Sequence, residues 1–304
     1  MIDQSCGHGV PSGSTVRSDA DGTIHSTAPD GTQTVFPPCA HPAVLARPTA
    51  SSAATTSGST QLPGAEVMPS WVEYSGTNAP SNGGRRWFNG IDGQWAVPAK
   101  PTTDGAIIYF FNGLVDKLDP NNHTEIIQPV LQYGKGPNGG GNYWVISSWW
   151  VQAGTGNYLY TNPIRVNVGD TIYGIVAAGS GDCNASGQCS LWAIEVCGTS
   201  DCSKASTNAI LFLSSTDKSY QRAYQGVLEA YNVTTCNYFP SDGAMAFGST
   251  HLYQPPATGS LNQYVEMYNS ATWSTPSLNT LWNQGPHNCS FGGGVFSRGT
   301  TLDY

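Results

Sequence analysis

Residues 106–114 (AIIYFFNGL), 125–133 (EIIQPVLQY) and 143–152 (YWVISSWWVQ) decide the fold class. Each run is dense in β-branched, aromatic and long apolar residues, the types that fit a pleated surface. The Gly- and Asn-rich stretch PNGGGN (137–142) separates the second run from the third. Outward from this block the same texture continues in TIYGIVAA (171–178), SLWAIEVC (190–197), AILFL (209–213), GVLEAYNV (226–233), AMAFGSTHLY (244–253) and NQYVEMY (262–268). No amphipathic helix longer than two turns interrupts it. The expectation is an all-β domain over residues 66–304: two stacked antiparallel sheets in a jelly-roll or lectin-like β-sandwich.

Composition points the same way and excludes several classes. The 304-residue chain has 12 Lys+Arg against 20 Asp+Glu, a net charge of −8, and only 11% charged residues. That leaves too few cations for a nucleic-acid surface. No stretch approaches the roughly 18 consecutive apolar residues of a membrane-spanning helix. The 9 Trp, 15 Tyr and 9 Phe supply a core despite the low charge. All of these aromatics except Phe36 lie after residue 65. Residues 48–61 (PTASSAATTSGSTQ) read as a linker. Residues 1–65 are therefore expected to form a separate N-terminal extension with a small β-prone element over 6–41, turned at Asp21-Gly22 and Asp30-Gly31.

Eight cysteines are present; locality pairs Cys183–Cys189 and Cys197–Cys202, the shared N-terminal segment pairs Cys6–Cys39, and Cys236–Cys289 remains by elimination. The short spacings contain no His, so disulfides are expected and no metal site is. Asn122, Asn184, Asn232 and Asn288 open N-x-Ser/Thr sequons. With the even cysteine count they point to a secreted glycoprotein.

Candidate chemistry rests on the rare carboxylates, since no serine-hydrolase elbow, phosphate loop or ligand-like His spacing is present. Of six Glu, Glu229 shares a strand face with Val227, Tyr231 and Val233. Gln128 and Gln132 share a face with Ile126 and Val130. A Glu and a Gln among apolar neighbours are costly when buried without partners, but tolerable when both line a cleft.

The blocks WAVP (95–98), FFNGL (110–114), IIQPVLQ (126–132), YWVISSWW (143–150), GDTI (169–172), VLEAY (227–231) and AFGS (246–249) occur in an order that resembles the glutamic peptidases of the eqolisin type. The resemblance implies a Trp-rich sandwich of two curved sheets, cleaving peptide bonds in acid without a cofactor. It implies Glu229 as general base and Gln128 as oxyanion stabiliser, with Gln132 as the alternative glutamine. It places the aromatic cleft residue at Trp149 or Trp150, and with Tyr231 these rings are expected to line a groove for a polypeptide substrate. A base with an ordinary carboxylate pKa works best in acid, and a chain with few ionisable groups loses little there. On this reading the protein is a monomeric, secreted endopeptidase, and residues 1–65 are expected to be either an inhibitory propeptide released in acid or a flexible stalk or small binding arm. The competing classes are a carbohydrate-binding lectin and a glycoside hydrolase; the latter needs two carboxylates about 5–9.5 Å apart.

Overall fold

The computed structural model describes residues 6–40, 70–116, 125–152, 155–179, 183–200, 202–214, 219–261, 263–280, 282, 284–286 and 288–304. In chain order the strands are β1 (Gly7–Val10), β2 (Ser14–Ser18), β3 (Ile24–Thr27), β4 (Gln33–Phe36), β5 (Trp71–Asn78), β6 (Gly90–Ala96), β7 (Ile107–Asp116), β8 (Glu125–Gly136), β9 (Gly139–Gln152) and β10 (Asn157–Thr161). They continue as β11 (Ile164–Arg165), β12 (Thr171–Ala178), β13 (Leu191–Cys197), β14 (Asn208–Ser214), β15 (Tyr220–Tyr231), β16 (Ala244–Gln254), β17 (Val265–Glu266), β18 (Ser277–Leu278), β19 (Gly292–Phe296) and β20 (Gly299–Asp303).

Two sheets pack face to face, so the expected all-β sandwich is present. The first has nine strands in the order β1-β10-β9-β8-β7-β15-β5-β18, with β11 added to β9. The second has eleven, ordered β19-β20-β16-β6-β12-β13-β14-β2-β3-β4, with β17 added to β16. The long central hairpin β8–β9 turns at Pro137-Asn138, between the paired Gly136 and Gly139. Gly139 and Gly140 there have φ of +95° and +86°, a region that costs an L side chain strain.

Alternation along the first sheet explains why its strands read as continuous apolar runs. Ile108, Phe110 and Leu114 of β7, Ile127 and Leu131 of β8, and Trp144, Ile146 and Trp150 of β9 point into the core between the sheets. Their neighbours Tyr109, Phe111, Val115, Ile126, Val130, Trp149 and Val151 form a separate apolar cluster on the other face. Both faces bury apolar surface, so the polar half of the usual alternation is missing.

Three expectations change. The sheets are mixed, not wholly antiparallel, because β1 runs parallel to β10 and β2 parallel to β14. Those two strands come from the stretch expected to stand apart. Residues 6–40 instead extend both sheets, and Val10, Val16 and Ile24 are core residues. Small β-branched side chains fill that edge of the core, so its lack of aromatics did not mark a separate body. The stretch expected as a strand over 262–268 pairs only at Val265 and Glu266 and then turns through a 3-10 segment at Tyr268–Ser270. The linker at 48–61 and the boundary at 65 lie outside the described residues.

All four expected disulfides are present, and no free cysteine remains among the described residues. Asn184, Asn232 and Asn288 are exposed, whereas Asn122 lies outside the described residues. No described helix is long and apolar enough to cross a membrane.

Candidate active site

The outer face of the nine-stranded sheet carries the polar groups that the sequence singles out. Cross-strand register places Glu229 of β15 opposite Tyr109 of β7, and Tyr109 opposite Gln132 of β8. Directly paired residues project to the same side, so these three side chains form one row across three strands. The next row is Val227, Phe111, Val130 and Ser147. Gln128 belongs to a further row, beside Gly113 and opposite Trp149. At about 4.8 Å per strand, Glu229 and Gln132 backbones stand about 10 Å apart, close enough for side chains to reach a shared substrate. Gln128 lies four residues further along, about 13 Å down the strand. The structure thus brings Gln132 into Glu229's row and leaves Gln128 on the same face but displaced.

Glu229 is 8% exposed, and its two oxygens differ. Oε1 accepts hydrogen bonds from Ser70 Oγ at 2.7 Å and from the Tyr231 hydroxyl at 2.5 Å. Those two hydroxyl oxygens are 3.1 Å apart. Each carries one proton, so with Glu229 ionised both protons point at Oε1. Oε2 has no partner among the described residues. Burial pushes the Glu229 pKa above the ordinary carboxylate value, and the Tyr231 and Ser70 hydrogen bonds act against that rise. Tyr231→Phe removes one of these stabilising donors. The acid limb of any Glu229-dependent rate should therefore move to higher pH, with KM little changed; a pH profile of kcat/KM for the two proteins reads this directly.

The glutamines are held differently. Gln132 is fully buried and donates both amide protons, to the carbonyls of Gly134 at 3.0 Å and Gly139 at 3.1 Å. Its Oε1 is buried without a partner. Gln128 is 6% exposed, and its Oε1 also lacks a partner. Gly136, four residues along β8 from Gln132, makes room for the ends of the row's side chains. A Cβ there would stand 2.6 Å from the Tyr109 hydroxyl oxygen and 2.9 Å from Gln132 Nε2.

Aromatic rings wall this face. Trp149 stacks on Tyr158 with ring centroids 5.9 Å apart, and its Nε1 donates to Ser147 Oγ at 2.6 Å. Tyr109 meets Trp149 and Tyr231 edge-on, at 5.8 and 6.1 Å. Tyr231 is half-buried at the rim. Trp150 is the exception among the expected groove residues. Its neighbour Trp149 takes the outer face, so period-two geometry turns Trp150 into the core between the sheets. Ser70 and Tyr109 are the residues that sequence reading missed. Tyr109 shares period-two spacing with Phe111 inside a quoted run, a usable signal; nothing local marks Ser70.

Glu195, Cys197 and Cys202 are the described His/Cys/Asp/Glu group close enough together for one metal ion, but both sulfurs are joined in a disulfide. Disulfide sulfurs are not thiolate ligands.

No protein-family model matches the chain, and no curated protein does. Among solved structures it is similar to scytalido-glutamic peptidase with a transition state analog inhibitor, at 13% identity and a TM-score of 0.46, covering 77% of this chain and 98% of that one. It is similar to the same peptidase with a peptide-based transition state analog, at 14% identity and a TM-score of 0.44, with the same coverage. A third is SCP-B, a member of the eqolisin family of peptidases, in a complex with the tripeptide Ala-Ile-His, at 15% identity and a TM-score of 0.42, covering 77% and 98%. These likenesses are remote.

Proposed function

We propose that this protein is a secreted endopeptidase that hydrolyses peptide bonds in acid, with Glu229 as general base. The observation that carries this reading is the state of Glu229: nearly buried, one oxygen fixed by two hydroxyls, the other without a partner among the described residues on an aromatic-walled sheet face. A water held by Oε2 loses a proton to Glu229 as its oxygen attacks the scissile carbonyl carbon. The same proton then passes to the leaving amine as the C–N bond breaks. Gln132, whose free Oε1 is an acceptor, orients the water from the far end of the row. Register favours Gln132 over Gln128 for this part. Trp149 and Tyr231 offer ring surface to an extended chain. Four disulfides and three exposed sequons support an extracellular setting.

A glycoside hydrolase fits less well. Glu73 sits opposite Leu228, one residue before Glu229, and so projects to the other side of the sheet. Glu195 and Glu266 belong to the second sheet. Among the described strand residues, none places a second carboxylate on Glu229's face. Activation by loss of an N-terminal piece remains part of the proposal in a narrower form. A cut within 41–69 would leave residues 6–40 held by the β1–β10 and β2–β14 pairings.

Incubation of a denatured protein across about pH 3–7, beside a panel of polysaccharides, tests the reading, because a Glu229 raised by burial ionises toward the upper part of that range. Peptides should appear and sugars should not. Sugar release without peptide release would replace the peptidase by the glycosidase.

A further inference from the structure

We infer that Tyr109 is a further catalytic residue, its hydroxyl donating the hydrogen bond that holds the oxyanion when a peptide carbonyl lies across the Glu229–Tyr109–Gln132 row. This rests on the peptidase reading and goes beyond it, because that reading lacks a donor. Acyl transfer through a tetrahedral intermediate places negative charge on the former carbonyl oxygen, and a site without a donor there forfeits a large part of its rate.

Most donors on this face are engaged; Trp71 Nε1 makes no hydrogen bond among the described residues, but Trp71 lies on β5, on the opposite side of Glu229 from Gln132. Both amide protons of Gln132 are spent on the Gly134 and Gly139 carbonyls. The Ser70 and Tyr231 protons both go to Glu229 Oε1. Trp149 Nε1 is held by Ser147 Oγ, and the Tyr160 hydroxyl by the Pro137 carbonyl at 2.9 Å. Gln128 lies about 13 Å along the strand from the row. The Tyr109 hydroxyl makes no hydrogen bond among the described residues either; Tyr109 stands between Glu229 and Gln132 in the row, and its hydroxyl oxygen reaches toward Gly136.

Its surroundings keep it a donor. Burial, then the Glu229 carboxylate, then Tyr158 and Tyr160, push its pKa well above the ordinary phenol value. The hydroxyl therefore stays protonated throughout the acid range. Its position is fixed by edge contacts to Trp149 and Tyr231 and by the bare Cα of Gly136. A donor held in place before reaction costs no reorganisation during it. In the step, water oxygen bonds to the carbonyl carbon and the C=O π pair moves to oxygen. Tyr109 hydrogen-bonds to that oxygen and keeps its own proton. The pair returns as the C–N bond breaks, and the amine leaves with the proton carried by Glu229.

The test is Tyr109→Phe, which keeps the ring and removes only an unpaired hydroxyl, so the fold should survive intact. Steady-state cleavage of an unstructured peptide should show kcat lower by roughly 100-fold or more, with KM nearly unchanged. Glu229→Gln, run beside it, separates the two claims. If Glu229→Gln is inactive while Tyr109→Phe stays within about threefold of the parent, the peptidase reading stands and the Tyr109 role is overturned. If Gln128→Ala rather than Tyr109→Phe shows the large loss, the donor is Gln128 and the inference is likewise overturned. If Glu229→Gln is fully active, the reading itself fails and the Tyr109 role falls with it.

Discussion

Glu229→Gln should reduce peptide hydrolysis by at least about 100- to 10,000-fold, the range for loss of a general base, while the melting temperature changes by no more than a few degrees. The amide is nearly isosteric with the carboxylate. Its oxygen still accepts from Ser70 and Tyr231, so the buried hydroxyls are not orphaned. What disappears is the basic oxygen that has no partner among the described residues. Burial already disfavours the charged carboxylate here, so the neutral amide removes a desolvation cost instead of adding one. Chromatographic quantification of peptide products, with a thermal melt of each protein, separates lost chemistry from lost fold. A fully active variant would refute the assignment.

The second large effect concerns stability. Glu73 of β5 is completely buried, and neither oxygen makes a well-formed hydrogen bond. Burial first, and then the neighbouring Asp303 carboxylate, raise its pKa from 4.5 to about 9; the nearby Gly292 N–H softens the rise only in part. The fold therefore holds Glu73 neutral. A carboxyl whose folded pKa is raised contributes stability that is fully present below its unfolded pKa and lost as pH climbs through its folded pKa. The window here runs from about pH 4.5 to 9. Within it, one excess proton in the folded state amounts to a loss of at most about 1.4 kcal/mol per pH unit. Melting temperature should fall by roughly 5 °C or more between pH 5 and 7. Glu73→Gln, which stays neutral at every pH, should remove most of that slope. Glu229, also raised by burial, leaves a slope of the same sign. Parallel melting curves for the two proteins across this range would contradict the account. A fold of this kind gains stability in acid, where the proposed chemistry operates.

The strands were legible because β-branched and aromatic runs leave little else to build. The face of each side chain was legible in part. Period two put Gln128 and Gln132 on one side, and their shared parity is the reason it could not choose between them. Only the pairing Tyr109–Gln132, a contact between two different strands, makes the choice. Trp149 and Trp150 show the complementary limit. Adjacent residues on a strand cannot both line one face, yet which of them does depends on register with β8. The N-terminal stretch misled for another reason. Its parallel partners β10 and β14 lie more than a hundred residues away, and composition carries no trace of such a contact. The disulfides were readable because Cys183–Cys189 and Cys197–Cys202 close short loops, leaving few choices for the rest.

The most direct test of the central claim is a pH titration of the Glu229 carboxyl by 13C NMR, set beside the pH profile of kcat/KM. The account predicts that the carboxyl titrates above the ordinary Glu value, that the acid limb of the rate has the same midpoint, and that both move upward together in Tyr231→Phe. A Glu229 that keeps one protonation state across the range where the rate rises would contradict it.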